Sequence, residues 1–167
     1  MPENDNSEEA VFPSEKSDST ESTGRRESEQ VRKQKSFSGS ACILVVEDDE
    51  INRSMFTQLL KSLGYIATTV ASAEEAFEYY KNHHDTVDCV MTDMIMPGMN
   101  GITLAKKLIE MTPKLPIIIM TGYSDHVDQK EIFAVGCNAL IAKPILRKDL
   151  GAVIAKVLEK KEEKAKQ

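Results

Sequence analysis

The chain has 167 residues, 41% of them hydrophobic, and a formal net charge of −6, which suits one ordinary domain plus a tail. The acidic balance argues against nucleic acid as a direct partner, because such binding rests on a basic patch. No apolar run approaches the roughly 18–20 residues of a membrane span, and the first residues lack the basic start and apolar stretch of a signal peptide, so a cytoplasmic protein without membrane insertion is expected.

Residues 1–40 are rich in Ser, Glu, Asp, Arg and Lys, with isolated apolar residues such as Val11, Phe12 and Val31. Such a segment buries too little apolar surface to offset its conformational entropy, and a disordered polar tail is expected. From Cys42 onward, short apolar runs alternate with amphipathic stretches. Cys42 to Val46 is a continuous apolar run, as in a strand buried on both faces. A helix is expected from about Glu50 to Leu63, with Ile51, Met55, Leu59 and Leu63 at four-residue spacing and Gly64 as its stop. Tyr65 to Val70 reads as a second strand. Ser72 then caps a helix through about Asn82, with Glu75 three residues on completing a capping box.

Asp88 to Thr92 reads as a third strand, followed by a helix from about Ile102 to Met111. Pro116 to Met120 is a fourth, strongly β-prone strand. A short helix is expected over roughly His126 to Val135, closed by Gly136. Ala139 to Ala142 is a fifth strand. A last helix begins near Arg147 and fades into a charged end from about Glu159. The domain is therefore set at 41–160, with 161–167 as a charged tail. Five βα units in succession imply an α/β fold, a doubly wound parallel sheet with helices on both faces. Such sheets bind ligands beyond the carboxyl ends of their strands.

The polar residues at those strand ends carry the chemistry. Strand 1 ends in Glu47-Asp48-Asp49, strand 3 in Asp93, strand 4 in Thr121 and strand 5 in Lys143. Parallel strands bring these ends to one edge, so carboxylates, a hydroxyl and an ammonium converge. Clustered carboxylates need a cation, and hard oxygen ligands without Cys or His point to magnesium. An aspartate can act as nucleophile and form an aspartyl-phosphate. Lys143 would meet the phosphoryl group as a point charge, and Thr121 would donate a hydrogen bond to it.

The motifs Ile43-Leu44-Val45-Val46-Glu47-Asp48-Asp49, Asp93-Met94-Ile95-Met96-Pro97-Gly98-Met99-Asn100-Gly101, Met120-Thr121-Gly122 and Ala142-Lys143-Pro144 closely resemble response-regulator receiver domains of two-component systems. The resemblance covers about residues 41–160. It implies a flavodoxin-like strand order 2-1-3-4-5 and a phosphoprotein with Asp93 as its phosphorylation site. Glu47, Asp48, Asp93 and the backbone carbonyl of Ile95 would hold Mg2+. Thr121 would be the switch hydroxyl and Lys143 the phosphate-facing lysine, with a cis Lys143–Pro144 bond. The implied partners are a histidine kinase or histidine phosphotransfer protein, and a downstream target on the face of the fourth helix, fifth strand and fifth helix.

Two features depart from the commonest family pattern. The position three before Lys143, often aromatic, is Leu140, and the two positions that tune dephosphorylation hold Ile95 and Tyr123, which suggests slow phosphate loss. Asp49 reads as a helix N-terminal charge. His83 and His84 read as solvated surface, and Met91, Met94, Met96 and Met99 as packing. Cys42, Cys89 and Cys137 form no C-x-x-C pair and lie among apolar residues, as free thiols of a reducing compartment do.

A stand-alone signalling switch that catalyses only its own phosphorylation and dephosphorylation is the expected function. The alternative is a degenerate receiver used as a phosphorylation-independent docking module. An aspartyl-phosphate phosphatase would want a second aspartate where Ile95 stands, and no Gly-rich nucleotide-binding motif is present.

Overall fold

The computed structural model describes residues 40–122, 125–126 and 128–167. But for Ser40, the tail expected over residues 1–40 lies outside the described residues, as does Tyr123. The five apolar runs form strands β1 (Cys42–Val46), β2 (Ile66–Val70), β3 (Cys89–Asp93), β4 (Ile117–Thr121) and β5 (Ala139–Ala142). They make one parallel sheet in the order β2-β1-β3-β4-β5, the doubly wound order expected. The intervening helices are α1 (Glu50–Ser62), α2 (Ala73–His83), α3 (Gly101–Met111), α4 (Gln129–Val135) and α5 (Arg147–Ala165).

Alternation along each strand sends its side chains into two separate cores. Ile43, Val45, Cys89, Met91, Ile118 and Met120 pack with Phe56 and Leu60 of α1 and with Leu150, Ile154, Val157 and Leu158 of α5. Leu44, Val46, Val90, Ile117 and Ile119 face the other way, onto Ala76 and Tyr80 of α2, Leu104 and Leu108 of α3, and Ile132 of α4. Both faces of the central strands are thus dry, which is why their sequences read as unbroken apolar runs.

The apolar face of α1 differs from the expected stripe. Ile51 is 79% exposed and Met55 43% exposed, whereas Phe56 and Leu60 are buried and Leu59 and Leu63 pack against the core. A four-residue spacing drifts around a helix of 3.6 residues per turn, so a run of such steps leaves the core face. The seam that is buried, Phe56-Leu59-Leu60-Leu63, follows the three-and-four pattern.

Helix ends follow local chemistry. Ser72 Oγ accepts from Glu75 N at 3.1 Å, and Glu75 Oε2 accepts in return from Ala71 N at 3.1 Å, one residue before the usual capping-box partner. α4 starts three residues later than expected, because Asp128 accepts from Lys130 N at 2.9 Å and sets the N-terminus there. Gly136 closes it in the left-handed conformation, φ 108°. α5 runs to Ala165, past the expected fraying near Glu159. Lys161 Nζ anchors it to the carbonyl and carboxylate of Asp88, both at 3.2 Å.

All three cysteines are free. Burial pushes the Cys89 thiol up to about 12 and the Cys137 thiol up to about 11, in keeping with packing roles. No described helix is long and apolar enough to cross a membrane.

Candidate functional site

The strand register builds the site. Val46 lies level with Thr92, Asp93 with Met120, and Thr121 with Ala142. The residues just beyond or at these positions therefore share one edge of the sheet. Glu47, Asp48 and Asp93 each offer a carboxylate oxygen, and these oxygens lie within 4.8 Å of one another. Glu47 is 1% and Asp93 8% exposed, while Asp48 faces solvent. Two acids are thus held in a poorly hydrated place, and the third opens it to water.

Lys143 reaches across from the end of β5. Its Nζ donates to Glu47 Oε2 at 2.7 Å and to Asp93 Oδ2 at 2.9 Å. Burial acts to push the ammonium down, but its hydrogen bonds and attraction to Glu47 and Asp93 outweigh that and hold its pKa above the ordinary lysine value. The backbone N–H of Lys143 donates to the Thr121 carbonyl at 2.7 Å, fixing β5 to β4 where both deliver their polar residue. Thr121 is 7% exposed at the end of β4. The Lys143–Pro144 bond is cis, as the resemblance implies.

Other residues fall where their bland readings put them. Asp49 turns away to cap α1, its Oδ1 accepting from Asn52 N at 2.8 Å. Ile95 sits in the loop after β3 with its side chain 58% exposed. Leu140 packs partly buried against the α2–α4 side of the core, in the place of the family's aromatic ring. Met91 is buried in the core on the α1–α5 side, while Met94 and Met96 are buried on the other side, where Met99 packs against that core. His83 and His84 are exposed.

Three supports of the site were not recognised from sequence. Arg53, one turn into α1, donates from Nη1 to the carbonyls of Glu47 and Asp48 at 2.8 and 2.7 Å. Glu74 Oε1 accepts from Met99 N at 2.9 Å, tying the loop after β3 to the start of α2. That backbone hydrogen bond holds the Glu74 carboxyl below its ordinary value. Gly101 allows α3 to start against β3, since a Cβ there would lie 2.2 Å from the Asp93 carbonyl oxygen. Only the glycine left a trace in the sequence, as the last residue of the Asp93 motif. The other two are long-range or turn-to-helix contacts that no spacing announces.

The donor set suits a hard divalent cation. Among the described residues, three carboxylates converge with one ammonium, and no cysteine or histidine joins the cluster.

Comparison with known proteins places the chain in a family and agrees with its fold. The model of the response regulator receiver domain family matches residues 43–155. Sensor kinase CckA of Brucella abortus is 33% identical over 132 residues, which are 79% of this chain but 14% of that kinase. The polar-differentiation response regulator DivK of Brucella ovis is 31% identical over 105 residues, 62% of this chain and 84% of DivK. A chain of the CheX-CheY-BeF3-Mg2+ complex from Borrelia burgdorferi superposes with a TM-score of 0.66 at 29% identity, covering 70% of this chain and 88% of its own.

Proposed function

The chain belongs to the response regulator receiver domain family, and on that premise we propose that Asp93 is the phosphoryl acceptor of a cytoplasmic two-component switch. The observation that carries this reading is the single ammonium of Lys143 shared between Glu47 and Asp93 at 2.7 and 2.9 Å, inside a three-carboxylate cluster. It holds Asp93 in a poorly hydrated place with Lys143 on one carboxylate oxygen, Oδ2.

Glu47, Asp48, Asp93 and the main-chain carbonyl of Ile95 would hold Mg2+. When bound, that ion supplies the charge needed to bring an anionic phosphoryl group beside three carboxylates. The remaining work belongs to the chain. One oxygen of Asp93 holds Lys143, and the other attacks phosphorus. The P–N bond of a donor phosphohistidine breaks, with its electron pair leaving on the imidazole nitrogen. No general base is needed, because ordinary carboxylates are already ionised at neutral pH. Lys143 then moves from the carboxylates to a phosphoryl oxygen, and the Thr121 hydroxyl donates to another. With apolar Ile95 two residues beyond Asp93, no side chain there activates water, and phosphate loss is slow.

The donor is a histidine kinase or histidine phosphotransfer protein. Its approach would be favoured by exposed apolar residues that follow the site residues along the chain: Ile51, Met55, Ile95 and Leu146 are 79%, 43%, 58% and 61% exposed. A hollow of about 340 Å³ beside Lys143 is lined by Asn52, Met55, Phe56, Pro144 and Ile145. Movement of Thr121 would be read out on the face of α4, β5 and α5. A phosphorylation-independent docking module would not need Asp93, Thr121, Lys143 and the acid cluster together.

The test is intact mass after incubation with acetyl phosphate, with and without magnesium, for the wild type and Asp93→Asn. Gain of one phosphoryl group that requires both magnesium and Asp93 is expected. No gain in the wild type, with no magnesium binding, would sink the reading.

A further inference from the structure

Arg53 belongs to α1 and touches none of the reacting groups, yet it holds the turn that presents two of the three clustered carboxylates. Its Nη1 donates to Glu47 O at 2.8 Å and to Asp48 O at 2.7 Å. Both acceptors are neutral main-chain carbonyls, and no ion pair joins Arg53 to an acid among the described residues. The rest of the turn is tied from other directions. Glu47 N donates to Val70 O at 3.2 Å, Asp49 N donates to Glu47 Oε1 at 3.2 Å, and Asp49 caps α1. Arg53 thus draws two successive carbonyls toward the helix, orienting the peptide planes from which the side chains of Glu47 and Asp48 depart.

We propose that Arg53 is a positioning residue for the cation pocket: it clamps the Glu47-Asp48 turn so that the cluster is formed before the cation arrives. The proposal rests on the reading of Glu47, Asp48 and Asp93 as a magnesium site. Two effects of the guanidinium oppose each other. Its charge repels a nearby cation, whereas the clamp removes the cost of ordering two ligands. Hydrogen bonds to charged groups are among the strong ones. Residues that orient metal ligands typically alter metal affinity by about 10–100-fold when removed. The clamp therefore dominates, and removal of Arg53 weakens binding rather than strengthening it.

The experiment titrates the full chain with Mg2+, following the backbone amide signals of Asp48 and Asp49 by NMR, for the wild type, Arg53→Met and Arg53→Lys. Phosphorylation by acetyl phosphate is measured across the same magnesium range. Arg53→Met is expected to bind Mg2+ about tenfold more weakly. Arg53→Lys, which keeps the charge and one compact donor, falls between it and the wild type. At saturating magnesium the phosphorylation rate of both variants returns to the wild-type value, because the defect lies in assembling the pocket.

Unchanged or tighter binding by Arg53→Met would overturn the proposal, since the charge would then be the larger effect. A phosphorylation defect that persists at saturation would overturn it too. Should Arg53→Met not fold, Arg53→Lys decides alone: wild-type affinity in that variant refutes the clamp. Failure of the wild type to bind Mg2+ would instead remove the metal site itself.

Discussion

Replacing Lys143 with methionine removes the cation between Glu47 and Asp93 while keeping an unbranched stem. Glu47 at 1% and Asp93 at 8% exposure are then left facing each other with Asp48 close by. Removing one partner of a buried ion pair costs about 3–5 kcal/mol. The cluster can limit that cost by binding a proton. Doing so near pH 7 costs about 1.36 kcal/mol for each of the roughly three pH units above the ordinary carboxylate range, which caps the penalty near 4 kcal/mol. The penalty is then about 3–4 kcal/mol near pH 7 and about 1 kcal/mol near pH 5. The sign follows from proton counting. The folded variant binds more protons than its unfolded chain, so its stability falls as pH rises across this range. The wild type behaves differently. The folded pKa of Lys143 lies above its ordinary value of 10.5, so its contribution is fully present below that value and is lost only as pH rises through the higher one. Urea unfolding near pH 5 and near pH 7, with and without excess magnesium, measures both effects. Magnesium should stabilise the variant more than the wild type, since it restores the missing positive charge. A variant as stable as the wild type near pH 7 without magnesium, or a penalty that does not shrink near pH 5, would refute the reasoning.

Gly101→Ala should lower stability by about 2 kcal/mol or more, because the new Cβ meets backbone and no side chain can yield; a melting temperature equal to the wild type's would contradict the 2.2 Å approach to the Asp93 carbonyl oxygen. Phe56→Ala should cost about 3–5 kcal/mol and Ile51→Ser under about 0.5 kcal/mol by chemical denaturation, which is the reverse of what the four-residue stripe in α1 suggests. In the native state, Cys89 and Cys137, with thiols pushed up to about 12 and about 11 by burial, should resist a thiol-specific disulfide reagent at mildly alkaline pH, while the half-buried Cys42 reacts first. Equal labelling of all three before unfolding would show that the core is not closed as described.

The site was legible in the sequence because each of its residues ends a strand. Strand ends are marked by the switch from apolar to polar residues, and parallel strands must deliver those ends to one edge. Glu47, Asp48, Asp93, Thr121 and Lys143 were therefore assigned to one edge by position, while the metal-ligand and switch roles came from the family resemblance. Element boundaries were readable to within a residue or two where a cap residue stood, as at Ser72 and Gly136. The start of α4 was misjudged because Asp125 and Asp128 can each cap a helix; Asp125 accepts instead from Gly122 N, and Asp128 accepts from Lys130 N.

Hydrophobic alternation and strand-end chemistry by themselves determined the βα rhythm, the parallel sheet and the acid cluster, since these depend on local periods and on which residues water accepts. Tertiary structure alone decided which face of α1 is buried, because Ile51 and Met55 are as apolar as Phe56 and only the position of the sheet distinguishes them. It alone gave Lys143 to both Glu47 and Asp93, and Arg53 to the carbonyls behind them. Those contacts join groups whose partners are set by three-dimensional proximity, and a sequence period carries no record of them.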